Sequence, residues 1–290
     1  MSRASSQPLH ALSFDIEDWF HIVDIPGLDD PAKWDTMESL VQRRTDDILA
    51  ALDRHRVRAT FFVLGWIAAR HPALVRRIHD AGHELASHSF WHRRVFTLDP
   101  EEFRRDTLLS LDAIEAACGV RPQGYRAPSF SILKGTEWAL DVLLDCGIRW
   151  DSSLFPAPRG HGGYPCADAP HLFTALPSGR VMPELPLGVM RIAGRGLCFS
   201  GGGYMRLLPL WCIERGFAQF AKRDLPVVIY LHPRDFAPEC PRVPMPLTRK
   251  FKCYVGMHTT MPKLEALLQR HAFAPCSYVL RNLGLLPAAE

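Results

Sequence analysis

Short apolar runs alternate with stretches of helical periodicity along much of the chain. The apolar runs are continuous rather than broken by alternating polar residues, a pattern typical of strands buried on both faces. Strand candidates lie at 11–16, 58–64, 84–87, 124–126, 148–150 and 227–231. Helix candidates lie at 38–55, 72–82, 99–119, 137–146 and 210–222.

The helix predicted at 99–119 has the clearest boundary signals. Asp99 stands in the N-cap position before Pro100, and Glu102 completes a capping-box pattern. Gly119 follows the last apolar position of the stripe and ends the helix.

Strands of this length separated by helices indicate parallel β/α units. We therefore expect an α/β fold, and the number of repeats favours a distorted (β/α) barrel of about seven strands over an open sheet. Segments 157–205 and 236–262 are rich in proline and glycine, so they are predicted to be loop-rich, as an insertion and part of a C-terminal extension. Residues 1–10 are expected to be a flexible N-terminus, and 11–290 a single domain.

Composition is that of a globular protein. Hydrophobic residues make up 47% of the chain and charged residues 22%, which excludes disorder, collagen and coiled coil. The net charge of +3 is too balanced to indicate nucleic acid. No apolar run approaches the roughly 18 residues that span a bilayer. We expect no signal peptide and a cytoplasmic protein, with peripheral membrane contact left open, and eight reduced cysteines.

Polar residues collect where the strand candidates end. In β/α barrels the carboxyl ends of the strands form the active site, so side chains at these ends are expected to converge. The residues concerned are Asp15, Glu17, Asp18, His88, His92, Arg126 and His232.

The two histidines indicate a metal site. A spacing of four residues brings His88 and His92 to one helical face or into one turn. Two histidines and one carboxylate, here Glu17 or Asp18, leave zinc an open position for water. Ser89 is expected to hold one imidazole or its loop in place.

The remaining groups fit acid–base chemistry. Metal-activated hydrolysis needs a further carboxylate as general base, and Asp15, at the strand end itself, is the candidate. Arg126 would pair with Asp15 and keep it ionised. His232 is the candidate general acid for a leaving amine, with Asp151 or Asp235 to orient or charge it.

The sequence motifs that mark several other catalytic or nucleotide-binding classes are absent. It contains no GxSxG elbow, no HExxH and no P-loop, and no GxGxxG follows the first strand. A two-carboxylate glycosidase could be assembled from Asp15 with Glu184 or Asp151, but it would leave the histidine pair without a role.

Five motifs in this order resemble the polysaccharide deacetylase, or NodB-homology, family over residues 11 to 280. They are Ser-Phe-Asp15-x-Glu-Asp18, His88-Ser-x-x-His92, Arg126-x-Pro128, Trp150-Asp151-Ser and Tyr-Leu-His232-Pro. Further motifs at 15–21, 125–130, 151–156, 184–186 and 201–204 are similar to the branch of this family encoded with exosortase-type exopolysaccharide clusters.

The resemblance implies a distorted (β/α) barrel, one divalent metal, usually zinc, and hydrolysis of N-acetyl groups on N-acetylhexosamine residues of a glycan. It implies Asp15 as base, Arg126 as its tuning partner, His232 as acid and Asp151 as support for the acid. The backbone N–H of Ser129 would hold the oxyanion. The implied metal ligands are His88, His92 and one carboxylate.

Two departures from the family pattern stand out. The usual first motif has adjacent aspartates, whereas Ile16 and Glu17 separate Asp15 from Asp18. Residue type favours Asp18 as the metal ligand, and a related Asp-x-Asp branch favours position 17. In addition, Arg234-Asp235 replaces a common Trp-Glu after the His-Pro motif, which bears on substrate contacts.

Two other functions remain open at this point. One is a related metal amidohydrolase that acts on a small C–N substrate, as allantoinase-like relatives do, and a narrow closed pocket would favour it. The other is a non-catalytic glycan-binding relative. A homo-oligomer is compatible with either function, and a nucleic-acid partner is not expected.

Overall fold

The computed structural model of the chain describes residues 8–28, 30–157, 163–174 and 176–288. The strands are β1 (His10–Ile16), β2 (Thr60–Val63), β3 (Glu84–Ser87), β4 (Gly124–Tyr125), β5 (Trp150–Asp151), β6 (His171–Phe173), β7 (Met182–Glu184), β8 (Val189–Ile192), β9 (Arg195–Cys198), β10 (Val228–Leu231) and β11 (Phe273–Ala274). The α-helices are α1 (Val41–His55), α2 (Gly65–Arg70), α3 (Pro72–Asp80), α4 (Pro100–Cys118), α5 (Trp138–Asp145), α6 (Gly202–Leu207), α7 (Leu210–Ala221), α8 (Leu247–Tyr254), α9 (Thr260–Arg270) and α10 (Cys276–Asn282).

One curled sheet organises the described part of the chain. Its strand order is β10–β1–β2–β3–β4–β5–β7–β6, and β11 also pairs with β1. Every neighbouring pair from β10 to β7 is parallel, and β6 is antiparallel to β7. The seven strands of this parallel path confirm the predicted α/β class and form an incomplete (β/α) barrel.

Strand register brings the functional motifs to one edge. Phe14 pairs with Leu231, Asp15 with Phe62, and Ser87 with Tyr125. Each of these positions lies within two residues of the carboxyl end of its strand. Because all the strands involved are parallel, the residues that follow them emerge on the same side of the sheet.

The core consists of the two faces of this sheet and the helices packed on it. Every residue of β1 is buried, as are those of β2 and β10, which explains their continuous apolar sequence. Burial on both faces is what a parallel sheet between helix layers requires.

The best-marked helix forms as predicted. The side chain of Asp99 accepts the Glu102 N–H at 2.8 Å, and the Glu102 side chain accepts the Asp99 N–H, which completes the capping box of α4. Gly119 ends the helix with a φ of 80°, a left-handed conformation that costs glycine little. Buried Phe103, Leu111 and other stripe residues then face the core.

The segments predicted to be loop-rich contain more regular structure than their sequence indicated. Within 157–205, β7 extends the main sheet beside β5, and β8 and β9 form a separate antiparallel hairpin. Within 236–262, α8 forms despite its prolines upstream. Most of the N-terminus predicted to be flexible lies outside the described residues, and His10 already begins β1.

Two further expectations can be compared with the structure. All eight cysteines lie in the described part of the chain, where no disulfide joins them; five are buried, and Cys118, Cys166 and Cys253 are half-buried. Among the described helices, none combines the length and the apolar character that a bilayer span requires.

Gly124 provides a test of the packing between β4 and β5. A Cβ at this position would lie 2.0 Å from Cζ2 of the buried Trp150, so Gly124→Ala must displace the indole and should lower the free energy of unfolding by about 1–3 kcal/mol. Gly188→Ala is the matched control, because its nearest neighbours would lie 3.5 Å away. Urea denaturation of both variants measures the difference, and equal stabilities would contradict this packing.

Candidate active site

A buried ion pair lies at the centre of the carboxyl edge. Nη1 of Arg126 donates to Oδ1 of Asp15 at 2.7 Å and to Oγ of Ser13 at 2.9 Å. The rest of the guanidinium donates to the backbone carbonyl and hydroxyl of Ser152, and it lies 3.9 Å from the ring centroid of Phe62. The predicted pairing of Arg126 with Asp15 is therefore present, and it leaves Oδ2 of Asp15 for other partners.

Glu17, His88 and His92 form a possible metal site. One ligand atom from each lies within 4.8 Å of the others, and all three residues are buried. Oε2 of Glu17 and Nε2 of His92 are 2.6 Å apart, yet this Glu17 oxygen has no hydrogen-bond partner. A buried carboxylate and two buried imidazoles that converge in this way are an arrangement that a cation would satisfy. The donor set therefore fits the divalent metal that the family resemblance implies.

The tautomer of His88 suits this role. Its Nδ1 lies 2.7 Å from the carbonyl oxygen of Arg126. A carbonyl oxygen only accepts hydrogen bonds, so Nδ1 carries the proton and Nε2 keeps the lone pair that a metal needs. Burial lowers the pKa of His88 to about 4, so the imidazole is neutral around pH 7.

The loop between the two histidines is held in a strained conformation. Ser89 and His92 have φ values of 65° and 55°, in the left-handed region. Oγ of Ser89 accepts the backbone N–H of His92 at 3.0 Å, and Asp106 from α4 accepts the N–H groups of Phe90 and Trp91. Ser89 thus supports the loop, which is one of the two roles expected for it.

Asp18 lies apart from the histidine pair, although residue type favoured it as the metal ligand. Its carboxylate accepts hydrogen bonds from the backbone N–H of Trp19 and, at the start of α1, from the Leu40 and Val41 N–H groups and the Ser39 hydroxyl. Those donors occupy both oxygens, so the structure brings Glu17, and not Asp18, to the histidines.

His232 is held by Asp235. Oδ2 of Asp235 accepts the backbone N–H of His232 and lies 2.9 Å from its Nδ1. Nε2 of His232 points the other way, 3.8 Å from Oδ2 of Asp15 and 3.6 Å from Oε1 of Glu17. Although burial opposes it, the Asp235 carboxylate raises the pKa of His232 above its ordinary value.

Arg206 extends this arrangement to the C-terminal segment. Its Nε lies 3.0 Å from Oδ1 of Asp235, and its other nitrogens donate to backbone carbonyls of Lys252, Cys253 and Val255 at the end of α8. Burial raises the pKa of Asp235, but the nearby Arg206 and His232 outweigh burial and hold that pKa below its ordinary value. Asp235 is therefore ionised.

Asp151 does not support His232, contrary to one of the two alternatives. Its carboxylate accepts the N–H and the hydroxyl of Ser153 at 2.9 and 2.7 Å. In the sheet it pairs with Glu184, and burial together with the neighbouring Asp151 charge raises the pKa of Glu184 well above its ordinary value. The carboxyl groups of Asp151 and Glu184 are therefore buried neighbours behind the carboxyl edge of the sheet.

A cavity of about 550 Å³ opens onto these groups. Asp15, Glu17, His88, His92 and His232 all contribute to its lining. This volume is within the usual range of ligand pockets.

Other walls of the same cavity come from later parts of the chain. Ser129, whose φ is 57°, contributes to the lining. The opposite wall includes residues of α6 and α8.

Three arginines that line this cavity, Arg206, Arg234 and Arg249, were not among the sequence candidates. Arg206 follows the Gly-Gly-Gly-Tyr run, directly after the segment predicted to be loop-rich, and Arg234 was noted only as a departure from relatives. The only local signal for Arg234 was its position beside the His-Pro motif. Arg206 had no local signal, because its partner Asp235 is 29 positions away in sequence.

Family comparisons cover most of the chain in two segments. Residues 29–149 match the polysaccharide deacetylase family, and residues 152–281 match a domain of unknown function, DUF3473. The candidate site motifs around His88, His92 and Arg126 fall in the first segment, and His232 falls in the second.

Curated relatives are deacetylases of N-acetylated glycans. A chitooligosaccharide deacetylase from Bradyrhizobium sp. (strain ANU 289) is 40% identical over 100 residues, 34% of this chain and 43% of the relative. A chitooligosaccharide deacetylase from Rhizobium leguminosarum bv. trifolii is 43% identical over 108 residues, 36% and 47% of the two chains. A peptidoglycan-N-acetylglucosamine deacetylase from Bacillus cereus is 32% identical over 98 residues, 33% and 36%. The chain spans less than half the length of these relatives.

Solved structures agree on the fold. A protein from Mycobacterium smegmatis assigned to the polysaccharide deacetylases superposes with a TM-score of 0.66 at 22% identity, covering 100% of this chain and 96% of the other. The peptidoglycan N-acetylglucosamine deacetylase Bc1960 superposes with a TM-score of 0.52 at 16% identity, covering 95% and 89%. Taken with the motifs at the carboxyl edge, the matched segments lead to one conclusion: the chain contains a polysaccharide deacetylase domain over residues 29–149, followed by a DUF3473 segment over residues 152–281.

Proposed function

We propose that this protein is a metal-dependent N-deacetylase of glycans that contain N-acetylhexosamine. The observation that carries the proposal is the convergence of two sets of groups on one cavity. Asp15 and His232 supply a base and an acid, with Oδ2 and Nε2 3.8 Å apart, and Glu17, His88 and His92 supply a possible metal site. The named relatives act on such glycans, which agrees with this chemistry.

Glu17, His88 and His92 would hold the metal, and zinc suits two imidazoles and one carboxylate. A divalent ion bound there would polarise the acetamide carbonyl and acidify a water molecule. Asp15 takes the proton of the attacking water through Oδ2, because Arg126 holds Oδ1. The backbone N–H of Ser129 is the protein donor assigned to the developing oxyanion.

His232 completes the reaction as general acid. Its Nδ1 lies against Asp235, so Nε2 is the atom that delivers a proton to the departing nitrogen. The raised pKa of His232 favours the protonated form that this step needs. The products are acetate and a free amine.

The shape of the cavity favours a glycan over a small C–N substrate. Phe155, Tyr204 and Phe251 line it, and the last two are 41% and 55% exposed. Aromatic faces that extend from the cavity to the surface can pack against sugar rings outside the reacting residue. An allantoinase-like substrate would leave these faces without a function.

Asp15→Asn tests the assignment of the base. The amide can still accept from Arg126 but cannot take a proton, so acetate release from chitotetraose should fall by about 10²- to 10⁴-fold. Metal content, measured by elemental analysis, should stay the same because Asp15 is outside the ligand set. Turnover above a few per cent of the parent would remove Asp15 from the mechanism.

Metal-loaded parent protein that binds chitotetraose without releasing acetate would instead support a non-catalytic glycan-binding function.

Glu17→Gln and Asp18→Asn form a matched pair that tests the metal ligands. Glu17→Gln should lower the zinc retained per chain after dialysis against excess chelator-free buffer, since an amide binds zinc far more weakly than a carboxylate. Asp18→Asn should retain zinc but lower the free energy of unfolding by about 1–3 kcal/mol, because it weakens buried acceptors of the Leu40 and Val41 N–H groups. Loss of zinc in the second variant alone would reverse the assignment.

Asp235→Asn tests how the acid is tuned. Because His232 must be protonated to act, kcat/KM should fall as pH rises through its pKa. The Asp235 charge raises that pKa, so its removal should move the alkaline limb of the pH profile to lower pH. Asp168→Asn, which changes a surface pair with Arg223, is the control and should leave the limb in place. An unmoved limb in Asp235→Asn would contradict the role of Asp235.

A further inference from the structure

The lining of the active-site cavity carries more positive than negative side chains. Its ionisable residues other than histidine and cysteine are Asp15, Glu17, Arg206, Arg234, Arg249 and Lys252, together with Tyr204 and Tyr230. At neutral pH the four cations face two carboxylates. Both carboxylates already have assigned partners, Asp15 with Arg126 and Glu17 with the possible metal site. A bound divalent ion would add to the positive excess.

Contacts within the protein or exposure to solvent explain the positions of three of the four cations. Arg206 pairs with Asp235 and donates to the end of α8. Arg249 donates to the backbone carbonyls of Val23 and Asp24. Lys252 is exposed to solvent. These contacts explain each side chain without a ligand.

Arg234 has no such partner within the described residues. Its Nε is buried without a hydrogen-bond partner, and among the described residues no carboxylate lies within ion-pair distance of its guanidinium. The adjacent Asp235 is occupied, Oδ2 by His232 and Oδ1 by Arg206. The Arg234 side chain as a whole is half-buried, so its guanidinium combines a desolvated Nε with no partner anion, an arrangement that an anionic ligand would satisfy.

The position of Arg234 relates it to the reacting centre. It lies two residues after His232, in the turn that holds Asp235, and it lines the same cavity as Glu17. An anion at Arg234 would therefore lie close to the acetamide that is cleaved.

We propose that Arg234 binds an anionic substituent of the glycan, a carboxylate or a phosphate, next to the N-acetylhexosamine that is deacetylated. This inference rests on the proposed deacetylase function and narrows its substrate to acidic glycans. A planar guanidinium with free donors matches the two oxygens of a carboxylate, as in a hexuronic acid, and also matches a sugar phosphate.

The test compares matched substrates in the zinc-loaded protein. Chitotetraose is the neutral substrate, a heparosan tetrasaccharide of alternating N-acetylglucosamine and glucuronic acid carries carboxylates, and N-acetylglucosamine 1-phosphate carries phosphate. Acetate release gives kcat/KM for each in the parent, in Arg234→Met and in Arg234→Lys. Lys250→Met removes one exposed charge from α8 that does not line this cavity and controls for long-range electrostatics.

The parent should prefer one acidic substrate over chitotetraose. Arg234→Met should lower kcat/KM on that substrate about tenfold or more, mainly through KM, and change chitotetraose less than about twofold. Arg234→Lys should recover part of the loss, and Lys250→Met should leave the preference intact. The preferred acidic substrate identifies the anion as carboxylate or phosphate.

A parent without acidic preference, or equal losses on neutral and acidic substrates in Arg234→Met, would overturn the proposal. Calorimetric titration of zinc-loaded Asp15→Asn with the same sugars separates this result from failure of the deacetylase function. If the parent releases no acetate from any substrate, the deacetylase function fails. Arg234 is then still tested, because adding Arg234→Met to Asp15→Asn should weaken acidic-sugar binding about tenfold, and unchanged binding would refute the contact.

Discussion

The buried contact between Arg126 and Asp15 is the constraint on which the site depends. It joins the end of β1 to the residues that follow β4 and β5, through Ser13, Asp15 and Ser152. The guanidinium is fully buried and the Asp15 side chain is 3% exposed, so removal of either partner would leave an uncompensated charge at a cost of about 3–5 kcal/mol. The complete set of hydrogen bonds around Arg126 offsets its desolvation. The same contact fixes which oxygen of Asp15 faces the cavity.

Arg126 also acts through its backbone. Its carbonyl oxygen accepts Nδ1 of His88 and so determines the tautomer of a candidate metal ligand. One residue therefore positions the candidate base Asp15 with its side chain and the candidate metal ligand His88 with its main chain. A displacement of β4 relative to β1 or β3 would disturb both groups together, which explains why this short strand is packed so tightly against Trp150.

The parts of the structure that could be predicted from the sequence are those with local signals. The strands that carry Asp15 and His232 are continuous apolar runs, and α4 has its caps in the sequence, so both were predicted nearly in full. The choice between Glu17 and Asp18 had no local signal, because it depends on donors from Ser39 to Val41 that fold back onto Asp18. Likewise β7 joins the sheet only through pairing with β5 and β6, which short-range periodicity does not encode.

The return of the chain to its first strand has a further consequence. β1 lies between β2 and β10, so the candidate base from the beginning of the fold stands beside the candidate acid from near its end. The boundary between the two matched family segments, at residues 149 to 152, falls at β5, which pairs with β4 of the first segment. The C-terminal segment of unknown function is therefore the second half of one barrel and not an accessory module. In evolutionary terms, recombination at that boundary would separate the candidate acid His232 from the candidate base Asp15.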